Sequence, residues 1–144
     1  MASIILDVVV RAPPETVWDA LANVGEAHRV FSGVLADCSL EGDNVRIATF
    51  VNGFAVTERI IGVDAVHRRI AYTVVGGDFE HHSASMQVLA GDYGECRFVW
   101  VSDVLPDATA GRIRPLMDAG VAALKRTFEP ELHRFISWLG RAVR

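Results

Sequence analysis

The chain divides into two regions that differ in the spacing of their apolar residues. Over residues 3–105, apolar and polar residues mostly alternate, and this period of two is typical of strands with one buried face. Over residues 109–141 the apolar residues recur every three or four positions, which predicts one long helix with a single apolar side. That side comprises Ile113, Met117, Gly120, Val121, Leu124, Phe128, Leu132, Phe135 and Leu139. Such a helix must bury its apolar side, so we expect it to lie across the sheet.

Turn residues divide the alternating region into seven predicted strands. These are residues 3–11, 34–40, 45–51, 54–63, 69–75, 82–89 and 95–105. Between two of them, Asn52-Gly53 is a strong signal for a two-residue hairpin loop. Strands in series with such short connections predict an antiparallel meander. The predicted fold class is therefore α+β.

Proline residues mark the predicted helices. Pro14 or Glu15 begins a short helix, because proline fits a first helical turn and an acidic residue is favourable there. A second short helix is predicted for residues 25–31. Pro130 interrupts the long helix, since an internal proline removes a hydrogen bond and clashes with the preceding turn. Because the apolar side stays in phase, we predict a kink near Arg126 rather than a new helix that starts at Pro130.

Composition excludes several classes of protein. A chain of 144 residues predicts one domain, residues 1–144, and its 51% hydrophobic content argues against disorder. The net charge of −4 argues against non-specific binding of nucleic acid. No apolar run approaches the roughly 18 residues of a membrane span, and the N-terminus lacks the basic segment of a signal peptide. We therefore expect a cytoplasmic protein, as either a monomer or a dimer, with Cys38 and Cys96 as buried reduced thiols.

The order of the elements resembles a known superfamily. A strand, two short helices, six strands and a long helix, with PPETVWDAL after the first strand, resemble the START/Bet v 1-like (SRPBCC) superfamily, in its polyketide cyclase/dehydrase-like branch. The resemblance implies a helix-grip fold, in which a curved seven-stranded antiparallel sheet holds the long helix around an apolar cavity. The stretch TERIIGVDAVHRRIAYTVVGGD is also similar to plant abscisic-acid receptors. Their gating loop has no counterpart here, because only Asn52-Gly53 joins strands three and four.

The phase of the strands suggests which side chains face that cavity. In strand six, His82, Ala84 and Met86 share the face expected to point inward. The resemblance implies the same for Tyr72 and Val74 of strand five. The similarity to the receptors further implies inward positions for Glu58, Val99, Val101 and Asp103, with Trp100 against the short helices. From the long helix we expect Met117, Gly120, Val121 and Leu124 to contribute to ligand binding.

Three functions are compatible with these residues. The first is binding of an apolar or amphipathic small molecule, which requires only the cavity. The second is a cofactor-free polyketide cyclase or dehydratase. There Glu58, favoured in its protonated form by burial and Asp103, exchanges protons while Tyr72 or His82 polarises a carbonyl. The third is a protein-interaction module. No metal or other cofactor is expected, because His81 and His82, as neighbours on a strand, point to opposite faces.

Overall fold

The computed structural model describes residues 2–129 and 139–140. Its strands are β1 (Ala2–Val10), β2 (Leu35–Glu41), β3 (Val45–Phe50), β4 (Ala55–Asp64), β5 (Arg69–Val74), β6 (His81–Ala90) and β7 (Cys96–Leu105). Its helices are α1 (Pro14–Ala22), α2 (Ala27–Val30) and α3 (Ala110–Phe128). Short 3₁₀ turns, Val24–Glu26 and Asp107–Thr109, precede α2 and α3. The predicted order of the elements is confirmed.

The seven strands form one antiparallel sheet in the order β1-β7-β6-β5-β4-β3-β2. Strands β2 to β7 follow one another as the predicted meander, and β1 pairs with β7 from Ala2 opposite Val104 to Val10 opposite Cys96. The register shifts within the β2–β3 and β4–β5 pairs, and such bulges bend a sheet. The sheet is curved, so the helix-grip fold class is confirmed.

The loop between β3 and β4 differs from the predicted two-residue hairpin. Thr49 pairs with Ala55, and the amide of Phe50 donates to the carbonyl of Phe54, so the loop comprises the three residues 51–53. Gly53 has φ of +90°, and a glycine in this left-handed region is typical of three-residue loops. The additional loop residue moves every cross-strand pair of β3 and β4 by one position.

The long helix α3 is shorter than the predicted helix of residues 109–141. It ends at Phe128, and Glu129 has non-helical φ and ψ of −118° and 37°. The residue before a proline is disfavoured in the helical region, which explains an end at this point. Pro130 itself lies outside the described residues, as do Leu132 and Phe135. Leu139 is described, and it is exposed rather than buried.

The apolar core joins the two short helices to the inner face of the sheet. Val17, Trp18 and Leu21 form the buried side of α1. They belong to one cluster with Phe98 of β7 and Leu124 of α3, both fully buried. Cys38 and Cys96 are buried and not disulfide-bonded, as predicted. No helix within residues 2–129 or 139–140 is long and apolar enough to cross a membrane.

Candidate functional site

A chamber of about 340 Å³ lies between the first half of α3 and the inner face of the sheet. Its walls are mostly apolar. From the sheet they include Ala48, Phe50, Val56, Val74 and Met86, and from α3 they include Ile113, Leu116, Met117 and Gly120. Phe54 and Leu116 also line the chamber, and they are 63% and 43% exposed, so part of its rim reaches solvent. The volume falls within the range of about 300–1,000 Å³ that is usual for small-molecule sites.

One wall of the chamber carries a buried ion pair. Arg46 of β3 lies opposite Glu58 of β4, and the Arg46 Nε donates to Glu58 Oε1 at 2.7 Å. Arg46 Nη1 also donates to the carbonyl of Val24 at 3.3 Å, and only 5% of the Arg46 surface is exposed. Burial by itself lowers the pKa of Arg46, but the charge and hydrogen bond of Glu58 outweigh it, so this pKa is raised. The guanidinium therefore stays charged and holds the Glu58 carboxylate.

Arg46 was not among the site residues predicted from the sequence, although the pattern of β3 indicates its position. In β3, Arg46 alternates with Ala48 and Phe50, and this phase faces the chamber. An arginine on an apolar face requires a buried acidic partner, because an unpaired buried charge is costly. Glu58 was the available acid, but only the three-residue loop places it opposite Arg46.

Tyr72 lies between the ion pair and β7. The guanidinium carbon of Arg46 is 5.4 Å from the centre of the Tyr72 ring, a cation–π distance. The Tyr72 hydroxyl accepts a hydrogen bond from Trp100 Nε1 at 3.0 Å. Burial raises the pKa of Tyr72, and the negative charge of Glu58 raises it further. Tyr72 is therefore a neutral phenol at physiological pH, so it is unsuited to act as a base.

His82 lines the chamber beside Tyr72 and Phe79, whose ring centres are 6.0 Å and 5.0 Å from its own. Its Nδ1 accepts a hydrogen bond from the backbone amide of Val74 at 3.1 Å. An amide can only donate here, so Nδ1 is unprotonated and the neutral ring carries its proton on Nε2. Burial lowers the pKa of His82, and the adjacent His81 lowers it further, which favours this neutral form.

Seven of the residues expected to bind ligand line the chamber. They are Glu58, Tyr72, Val74, His82, Met86, Met117 and Gly120. Ala84 shares the inward face of β6 but is not among the lining residues, and it packs in the core. Val121 and Leu124 are also buried in the core rather than exposed to the chamber. Val121 and Leu124, in the second half of α3, therefore pack in the core, whereas the sequence predicted that they would contact a ligand.

The inward phase expected for β7 is wrong. Val99, Val101 and Asp103 lie on the outer face, where Asp103 accepts a hydrogen bond from the Ser3 hydroxyl. Trp100 and Ser102 instead line the chamber. The pairing with β6 fixes this phase, because cross-strand partners share a face, and the partners of Met86 and Ala84 are Trp100 and Ser102. Arg97 and Asp103 are separated by an even number of positions on β7, so they share a face. Two charged residues on one face indicate that this face is the outer one, and this pattern could have been read from the sequence.

Asp103 is therefore not placed to act on Glu58 in the way that the cyclase hypothesis expected. Asp103 and Glu58 are on opposite faces of the sheet, so they cannot share a proton in one site. The expected contact of Trp100 with the short helices is present, since its ring lies 5.6 Å from that of Phe31, next to α2. His81, the neighbour of His82 on β6, is exposed, and its Nε2 is 3.1 Å from the Ser83 hydroxyl.

Gly120 lines the chamber and also determines how closely α3 packs. A Cβ atom at this position would lie 2.8 Å from Cζ3 of Trp100, which is closer than real Cβ contacts. Glycine therefore allows α3 to approach Trp100. The contact closes the chamber toward the packed core.

Comparison with family models identifies the family of the chain. The model described as "Polyketide cyclase / dehydrase and lipid transport" matches residues 1–135. The chain belongs to this family. No match was found among curated protein sequences.

Solved structures of other proteins share the fold. An uncharacterized protein from Bacillus thuringiensis is 17% identical with a TM-score of 0.79, over 88% of this chain and 98% of that one. The two-domain aromatase/cyclase BexL of the BE-7585A biosynthetic pathway is 19% identical with a TM-score of 0.76, over 90% of this chain and 47% of BexL. Truncated norcoclaurine synthase from Thalictrum flavum is 18% identical with a TM-score of 0.68, over 87% and 91%. At these identities the similarity establishes the fold alone.

Proposed function

We propose that this family member binds a hydrophobic or amphipathic small molecule in the chamber between the sheet and α3. The observation that carries the proposal is the chamber itself, about 340 Å³ with mostly apolar walls. Cavities created by mutation cost about 24 cal/mol per Å³, so an empty apolar void of this volume would cost roughly 8 kcal/mol. That cost is comparable to the whole stability of a domain, about 5–15 kcal/mol. An occupant would remove that cost, and the apolar walls favour an organic molecule over water.

The polar groups of the chamber support binding rather than catalysis. Glu58, the base of the cyclase hypothesis, has its Oε1 occupied by the Nε of Arg46 at 2.7 Å. Tyr72 already accepts a hydrogen bond from Trp100 and, as a neutral phenol, can donate one to a ligand. The charges of Arg46 and Glu58 are paired with each other, and the Tyr72 oxygen is paired with Trp100. This wall of the chamber therefore presents no net charge to a ligand.

The proposal is tested by looking for a retained ligand and then filling the chamber. Native mass spectrometry of freshly purified protein should show an additional small molecule bound to the folded chain. Ala48→Phe places a ring into the chamber and should abolish that retained mass, because Ala48 is one of the lining residues. Ala55→Phe is the matched control, since Ala55 is exposed on β4 and absent from the lining. Circular dichroism checks that both variants fold. Equal retention by both variants would contradict the proposal.

Catalysis remains the second candidate, because the family description includes polyketide cyclases and dehydrases. The test is incubation with a linear triketone, with ring closure and loss of water followed by mass spectrometry. Turnover that disappears in Ala48→Phe but persists in Ala55→Phe would place a reaction in the chamber. It would then replace simple binding as the proposed function.

A further inference from the structure

The polar residues of the chamber form one row across four strands. Arg46 of β3 pairs with Glu58 of β4, and Glu58 pairs with Val74 of β5. The backbone amide of Val74 then donates to the ring of His82 on β6. Neighbouring strands are about 4.8 Å apart, so the row places Glu58 and His82 about 10 Å apart on either side of an apolar residue. The ion pair and the imidazole therefore present separate polar groups to a ligand.

The charges of the chamber cancel in pairs. Among the residues that the structure describes, four charged ones line it: Arg46, Glu58, Asp78 and Arg112. Arg46 pairs with Glu58, and Arg112 Nη1 lies 3.2 Å from Asp78 Oδ2 at the mouth. No lining residue that the structure describes thus offers an unbalanced formal charge. A charged ligand would lose its hydration without gaining an opposite charge, so the chamber favours an uncharged one.

His82 differs from the ion pair because one of its two ring nitrogens has no hydrogen-bond partner within the described part of the chain. Its Nδ1 is occupied by the Val74 amide, whereas no side chain or carbonyl within residues 2–129 or 139–140 accepts from its Nε2. The neighbouring Tyr72 hydroxyl uses its oxygen to accept from Trp100. Its hydrogen has no acceptor among the residues that the structure describes. Both groups line the chamber as hydrogen-bond donors. Both donors face the space that a ligand would fill, so an acceptor atom on the ligand gains a hydrogen bond there.

We propose that the ligand is an uncharged apolar molecule with an oxygen acceptor, such as a ketone, that accepts a hydrogen bond from His82 Nε2. This inference rests on the proposed function and specifies the chemical class of its ligand. The apolar body of the ligand fills the space over Val74 and toward Met117 of α3, and the oxygen lies at His82.

Three probes of similar shape separate these requirements. 2-Acetylnaphthalene carries the carbonyl oxygen. 2-Isopropenylnaphthalene has a methylene group in place of that oxygen, and 2-naphthoate has a charged carboxylate in place of the whole acetyl group. Isothermal titration should show that the wild-type protein binds the ketone about three- to tenfold more tightly than the hydrocarbon, the value of one neutral hydrogen bond. The carboxylate should bind least. A wild-type protein that binds none of the probes contradicts the proposed function. Equal affinity for the ketone and the hydrocarbon contradicts only the role of His82.

Two substitutions of His82 separate its two nitrogen atoms. In His82→Asn the amide oxygen takes the place of Nδ1 and keeps an acceptor for the Val74 amide, but the donor at Nε2 is lost. In His82→Gln the longer side chain places an amide N–H near the position of Nε2, and the acceptor at Nδ1 is lost. His82→Asn should lose most of the preference for the ketone while its thermal unfolding stays close to that of wild type. His82→Gln should keep the preference even where its unfolding temperature falls. The opposite pattern would show that His82 acts only through the Val74 amide, and would overturn the proposal.

Discussion

The two halves of α3 lie against the same sheet, yet only one of them completes a core. In the second half, Leu124 is fully buried in one cluster with Val17 of α1 and Phe98 of β7. In the first half, Leu116 and Met117 face the chamber of about 340 Å³. Trp100 marks the boundary, where Gly120 lets the helix approach it closely. The comparison shows that the fold is stabilised at one end of the helix and left open at the other. The open end is the candidate site.

Breaking the ion pair should have the largest effect on the open half. Glu58→Leu leaves the buried charge of Arg46 without a partner, so the free energy of unfolding should fall by about 3–5 kcal/mol. Adding Arg46→Met should recover most of that loss, because a hydrophobic pair often replaces a buried ion pair without net cost. Urea denaturation of the two single variants and the double variant measures both effects. A double variant as unstable as Glu58→Leu would show that packing, rather than charge, dominates this wall.

The same substitution in each half of α3 tests the comparison directly. Leu124→Ala should lower the free energy of unfolding by about 2–5 kcal/mol, because it leaves a cavity in a closed core. Leu116→Ala, at a residue that is 43% exposed, should change it by no more than about 0.5 kcal/mol. Denaturant midpoints and slopes of both variants give these values. Similar losses at the two positions would mean that the chamber is as well packed as the core.

The smallest effect concerns the pH dependence that His82 adds to the open half. The pKa of His82 is lowered in the folded state, so the unfolded chain takes up this proton first as the pH falls. The stability contributed by neutral His82 is complete above its unfolded pKa of about 6.5, and it is lost progressively between that value and the lower folded pKa. Wild type should therefore lose stability relative to His82→Asn as the pH falls below about 6.5. Thermal unfolding of both proteins across this range measures the difference. A difference that is independent of pH would contradict the prediction.

Part of the candidate site could be predicted from local patterns, and part could not. The alternation of His82, Ala84 and Met86 placed β6 correctly, since Ala84 and Met86 are apolar on a half-polar strand. In β7 both faces carry apolar residues, so alternation did not determine the phase, and a shift of one residue exchanges the two faces completely. Only the pairing with β6 places Trp100 inward and Asp103 outward.

The sequence by itself determined the order of the elements, the antiparallel meander and the helix that crosses it, because these follow from local periodicity and turn residues. The tertiary structure alone decided three features: the pairing of Arg46 with Glu58, the phase of β7 and the chamber. The first two depend on register, which one additional loop residue or a distant neighbouring strand can change. The chamber is the space that remains after elements far apart in the chain have packed together. Its size and lining therefore depend on all of those elements at once, and no local segment of the sequence encodes them.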